Sequence, residues 1–160
     1  MSEVNFGYLM EVYKEQNEND GRARYPNKAQ GEQLRNTEQD FYHYLNTVFF
    51  RQKDSYYAVW EVNEHYFSAL RIEPYSNGLL LCALETEPEK RRHGYAISLI
   101  HELQDYLAQQ GTGMLYSHIS KKNTASLNLH LQCGFQYFKD YAVLADGSVS
   151  HSYYTLLYQY

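Results

Sequence analysis

The stretch LLLCALET, residues 79–86, runs apolar through both side-chain phases and leaves no polar face for water. A strand of that kind is buried on both sides, so it sits inside a sheet with a layer packed over each face. In a chain of 160 residues, one domain with helices as the covering layers is the arrangement that fits.

The flanking segments supply those layers. Val4, Tyr8, Leu9, Val12 and Tyr13 fall at helical spacing and predict a first helix over 4–15. Residues 17–33, NENDGRARYPNKAQGEQ, hold Gly, Pro and almost nothing apolar, and read as a loop that could serve as a mobile lid. A second helix capped by Thr37 carries the stripe Phe41, Tyr44, Leu45, Val48 and Phe49, ending near Gln52. SYYAVWEVNEHYFSALRIE then alternates as two strands turning at Asn63 and Glu64, and the turn Ser76–Gly78 feeds the central strand.

Beyond it, the spacing predicts a helix from Gly94 to about Gln110, a strand MLYSHIS and a short helix TASLNLHLQC. Two closing strands, FQYFKDYAVLA and SYYTLLYQY, join at Asp146 and Gly147. The class is α/β, or α+β: one mixed sheet with helices on both faces.

Between the central strand and the next helix stand Lys90, Arg91, Arg92 and His93, just before Gly94. Cations at a helix N-terminus oppose the macrodipole, which favours anions there. A phosphate-bearing ligand resolves the conflict. The free N–H groups of the first turn would meet its oxygens, the arginines would add charge-assisted contacts, and Gly94 and Ala96 would let it approach the backbone. A solvated basic turn is the alternative reading of the same residues.

The turn Arg91-Arg92-His93-Gly94-Tyr95-Ala96 resembles the R/Q-x-x-G-x-G/A motif of the GNAT superfamily of acyl-CoA N-acyltransferases, whose loop holds the pyrophosphate of coenzyme A. Asn123 stands 29 residues after Gly94 and opens NTASLNLHLQCGF, similar to the family's N-x-x-A/S-x-x-x-Y-x-x-x-G-F, with Ser126, Gly134 and Phe135 in register. The resemblance covers roughly 55–160 as the sheet and acyl-CoA core. It leaves 1–54 as a helical segment that in this family shapes the acceptor side.

The resemblance implies a mostly antiparallel central sheet and direct acetyl transfer from acetyl-CoA to a primary amine. It implies a cofactor site of Leu84, Thr86, Arg91, Arg92, His93, Gly94, Tyr95, Ala96, Asn123 and Ser126. A backbone N–H near Glu85 or Thr86 would polarise the thioester. His130 replaces the usual tyrosine, and an imidazole there could protonate the leaving thiolate. Leu80 and Cys82 stand where some relatives hold a base, so His118 is the next candidate, with Glu85 and Glu61 acting through water behind it. A GNAT-like module that binds acyl-CoA without turnover is the rival function.

The remaining composition narrows the partners. A net charge of −5 and a pI of about 5.8 leave no general basic surface for nucleic acid. Cys82 and Cys133 read as buried free thiols, and the histidines and acids show no metal-ligand spacing, so no metal is expected. MSEVNFGYLMEVYKEQ lacks the regions of a signal peptide and no run is long enough to span a bilayer, from which a cytoplasmic location is expected. Tyrosine, at 18 residues, is in excess: a core built with Tyr in place of Phe or Leu, or an aromatic pocket for a cationic or flat ligand. That excess and the acidic charge slightly favour a small cationic acceptor over a protein. The terminal strand SYYTLLYQY offers an edge on which a second copy can pair as a homodimer.

Overall fold

The computed structural model describes residues 4–160; residues 1–3, part of the stretch read for a leader, lie outside the described residues. The chain begins with α1 (Phe6–Val12), α2 (Lys14–Arg24) and α3 (Gln30–Thr47), followed by β1 (Tyr56–Val62), β2 (His65–Tyr75) and β3 (Gly78–Thr86). Then come α4 (Tyr95–Gln109), β4 (Met114–Ser120), α5 (Thr124–Gln132) and β5 (Gln136–Lys139). The short pair β6 (Ala142–Val143) and β7 (Val149–Ser150) precedes β8 (Tyr153–Gln159).

Among the described residues the main sheet has six strands in the order β1-β2-β3-β4-β8-β5, with β6 and β7 paired apart. Every pairing is antiparallel except β3 with β4, which α4 connects. β3 is therefore interior, as its apolar run requires. Leu99, Ile100 and Leu103 of α4 and Leu127 of α5 pack on Leu70, Ile72, Leu81, Leu115 and Leu156 across one face. Leu9, Val12 and Leu45 from α1 and α3 cover the other, with Phe49, Tyr57 and Ala69. Each fully buried Leu or Ile adds about 1.5–3 kcal/mol, so both layers hold the sheet. Tyr13, Tyr57, Tyr66 and Tyr116 are core residues, so part of the tyrosine excess is structural.

The N-terminal third departs most from its expected form. The first helix breaks at Tyr13, and the predicted lid is largely the helix α2, leaving only 25–29 as loop. α2 is polar on all sides, so hydrophobic periodicity cannot reveal it. It docks through Gly21 instead, where an added Cβ would lie 3.0 Å from the Gln33 carbonyl oxygen and from Thr37 Oγ. The loop is tied down too, since Gln33 Nε2 donates to the carbonyls of Tyr25 and Lys28, each at 2.9 Å.

α3 starts seven residues before the expected cap, and Thr37 lies inside it, buried, donating to the Gln33 carbonyl at 2.9 Å. The expected strand 135–145 splits into β5 and β6, so the Asp146–Gly147 turn joins β6 to β7 and not two strands of the main sheet. No described helix is long and apolar enough to cross a membrane.

Candidate active site

The site begins with a defect in β3. Ala69 faces Glu85 and Arg71 faces Cys82, so Leu70 alone stands opposite both Ala83 and Leu84. That is a β-bulge, and Ala83 takes a left-handed φ of 49° to make it. On the other edge, β3 pairs with β4 only from Leu79 to Leu81. β4 continues to Ser120 along β8, and the two parallel strands part. The last rung is marked by Ser117 Oγ, 3.1 Å from the Leu81 carbonyl oxygen. Beyond it, the backbone of 82–86 borders a gap.

A cavity opens on each side of that bulge. The larger, of about 590 Å³, is lined by Leu84, Glu85 and Thr86 from β3, by Lys90–Arg92 and Gly94–Ile97, and by Asn123, Ala125, Ser126 and Leu129. Gly94 caps α4 at φ 83° without a side-chain cap, and nothing lies within 4 Å of where its Cβ would be. The first-turn amides of α4 have no internal acceptor and stand at an open cleft. Asn123 caps α5 by accepting from Ser126 N–H at 3.0 Å.

Nine of the ten expected cofactor residues thus line one cleft. His93 does not. Its ring lies over Tyr95, 5.9 Å between centroids, and Nδ1 sits 2.8 Å from the Arg91 carbonyl oxygen. Lys90, Ile97, Ala125 and Leu129 line the cleft without having been assigned to it; each neighbours a motif residue or sits one helical turn from it, which was the available signal.

Arg91 connects this cleft to the N-terminal helices. Its Nε donates to the Thr86 carbonyl at 3.2 Å, and its guanidinium pairs with Glu15 of α2 and lies 3.8 Å from Glu85. Burial pushes the Glu85 carboxyl above the usual carboxylate range; Arg91 works against that shift and Glu15 adds to it. Among the candidate proton carriers, Glu85 is the one that lines the cleft.

The two histidines stand elsewhere. His130 is 1% exposed inside α5 and does not line the cleft. Its Nδ1 faces the Ser126 carbonyl at 2.8 Å and carries the proton there, which leaves Nε2 an acceptor 3.2 Å from Ser117 Oγ, whose single proton is shared between Nε2 and the Leu81 carbonyl oxygen 3.1 Å away. Burial lowers its pKa, so it is neutral with its one N–H spent. It has no proton to give, and the geometry suits a structural role rather than the acid expected of it. His118, the next residue after Ser117 on β4, points to the opposite face, 3.2 Å from Tyr75 Oη, and lines neither cavity. The structure does not bring the two together.

The second cavity, of about 340 Å³, lies between α2, α3 and the sheet, and Ala83 belongs to its lining. Tyr13 reaches it from the α1–α2 break and donates to the Ala83 carbonyl oxygen. Asp20, Arg24, Asp40, Tyr44 and Arg71 complete its polar wall. None of these was assigned to a site from sequence, Tyr13 and Tyr44 having been read only as helix-face residues, because the set comes from separate elements and shares no spacing.

A profile of the acetyltransferase (GNAT) family matches residues 10–135. No curated protein sequence matches the chain significantly. Among solved structures, the fold is similar to PaiA N-acetyltransferase from Thermoplasma acidophilum in complex with coenzyme A, at TM-score 0.64 and 12% identity, covering 97% of this chain and 92% of that one. It is also similar to an acetyltransferase from Bacillus subtilis in complex with CoA, at TM-score 0.62 and 10% identity over 100% and 95% of the two chains. The ribosomal-protein-S18-alanine N-acetyltransferase from Escherichia coli aligns at TM-score 0.57 and 17% identity over 76% of each chain. At such identities these neighbours show the fold, and the family follows from the matched span: the chain belongs to the GNAT family of acetyltransferases.

Proposed function

We propose that the protein transfers an acetyl group directly from acetyl-CoA to a primary amine, with the two substrates entering from opposite sides of β3. The observation that carries this reading is the meeting of two cavities at one bulge: Ala83 lines one, Leu84 and Glu85 the other. The diphosphate would take the α4 N-terminus with Arg91 and Arg92, and the pantetheine arm the gap beyond Leu81. Backbone N–H groups of the bulge would stabilise the oxyanion formed when the amine attacks the thioester.

Glu85 is the base in this reading. Its carboxylate takes the proton from the ammonium, directly or through a water, and burial makes it a stronger acceptor than an exposed glutamate; as the C–N bond forms the C–S bond breaks, and the departing thiolate takes its proton from solvent in the cleft. Phosphate oxygens binding Arg91 would draw it from Glu85, raising the carboxyl pKa further. The base would then be strongest when the cofactor is present.

The sealed, neutral His130 favours one rival, a module that holds acyl-CoA without turnover. Calorimetric titration with acetyl-CoA, followed by thiol release in the presence of amines, separates them. Direct transfer predicts binding plus amine-dependent release of free CoA. Replacing Arg91 and Arg92 by Ala removes two charge-assisted partners of about 1.5–3 kcal/mol each, a loss of roughly 100-fold or more in affinity. Binding with no release for any amine would support the module; undiminished binding in the double variant would remove the phosphate site.

A further inference from the structure

Arg71 is the unexplained group on the second cavity. It projects from β2 opposite Cys82, one residue before the bulge, and only 20% of its side-chain area is exposed. A guanidinium offers five N–H donors, and a buried one is costly unless they are used. Here Nη1 donates to Tyr44 Oη at 3.3 Å, while Nε is buried with no partner. The Glu73 carboxylate, 3.9 Å from Nε, offsets the charge without hydrogen-bonding to it. Tyr57 Oη, in the apolar layer beside it, is also buried without a partner.

Two aromatic rings back the guanidinium. The rings of Tyr44 and Phe49 both lie 5.6 Å from its central carbon. A planar fork backed by two rings on one side, with unspent donors and a cavity beside it, is organised for a planar oxyanion. The other charges of the cavity do not satisfy it. Asp40 is held by Arg24 at 3.2 Å and by the Tyr25 hydroxyl, and Asp20 is exposed on α2. Glu73 beside Arg71 disfavours a phosphate dianion, so a single carboxylate is the better fit.

We infer that Arg71 binds a carboxylate of the acceptor, so that the amine acetylated belongs to an amino carboxylate in which the two groups are a few bonds apart. The inference rests on the acceptor-side reading of this cavity given above. Its spacing comes from the sheet: Arg71 and Cys82 are a cross-strand pair, about 5 Å apart at Cα, and Ala83 follows directly. Arg71 and Ala83 line the same cavity of about 340 Å³, so a carboxylate on the guanidinium and an amine at the bulge share that small space.

The test is thiol release with acetyl-CoA and matched acceptor pairs: β-alanine with ethylamine, 4-aminobutyrate with propylamine, and an α-amino acid with its amide, beside phosphoethanolamine and spermidine. The wild type should use the carboxylates with kcat/KM at least tenfold above their partners. Arg71→Met, which keeps most of the stem against the rings, should erase that preference through KM, slowing the carboxylates far more than the matched amines and leaving acetyl-CoA binding unchanged; Arg71→Lys should restore part of it. A thermal melt of each variant shows that it is folded, and the wild-type comparison stands without them. Preference for ethylamine, spermidine or phosphoethanolamine overturns the inference alone, as does an Arg71→Met variant that slows both members of a pair equally. No thiol release with any amine overturns the transfer reaction, and the acceptor inference with it.

Discussion

The two cavities that meet at β3 are made in different ways. The cleft proposed for the cofactor is made largely by backbone: a bulge, a glycine at positive φ and the first amides of α4, drawn from 84–97 and 123–129. The cavity proposed for the acceptor is made by side chains from α2, α3, β2 and the α1–α2 break, brought together only by folding. Backbone recognition needs a fixed local geometry, which leaves a readable string of residue types. Side-chain recognition needs only that some residue reach the spot, and many sequences can supply one.

The comparison can be broken most severely at Glu85, which lies where the two sides meet. Glu85→Gln should lower turnover by about 10²- to 10⁴-fold, the usual span for a general base, with acetyl-CoA affinity nearly unchanged. The surviving activity should lose the limb of the pH profile that rises as this carboxylate ionises. Steady-state rates across pH measure both, and an unaltered profile would move the base to the acceptor side.

A smaller effect is expected at His130. Burial lowers its pKa and that of His118, so both are neutral near pH 7 in the folded protein. Unfolded histidines bind protons below about pH 6.5, so stability from these groups is present above that pH and is lost as pH falls through it. His130→Phe should remove the hydrogen bond to Ser117 and cost about 1–3 kcal/mol near pH 7, while making stability less sensitive to acid. Denaturant unfolding at several pH values reads the change. Turnover and its pH profile should persist, and their loss would return His130 to the chemistry.

The smallest effect lies at the contact joining the two sides. Glu15 holds Arg91 from α2, and Gln16, Asn17 and Asp20 of the same helix line the second cavity. Both partners are about half exposed, so the pair is weak, worth ~0.2–1 kcal/mol. Glu15→Gln should tighten acetyl-CoA binding by no more than a few-fold, measurable by calorimetry at low salt.

How much was legible follows from the same physics. LLLCALET located the central strand because burial on both faces leaves a continuous apolar run, and the Gly94 and Asn123 turns located the cleft proposed for the cofactor. α2 was hidden because its packing depends on the missing side chain of Gly21 and on buried polar groups, which hydropathy scores as loop. His130 was legible as a departure from a motif, but its role depended on which atoms face Ser117 and Ser126, which no spacing records. Arg71 was invisible among alternating strand residues, because its significance lies in donors that go unused.

A crystal structure of the protein with acetyl-CoA tests the central claim most directly. The account predicts the diphosphate on the Arg91–Ala96 turn, Arg91 released from Glu15, and the thioester in the gap beside Ala83 and Leu84 with its carbonyl facing the bulge. A cofactor lying along the surface of the cleft, with its thioester outside the gap and out of reach of the second cavity, would contradict it.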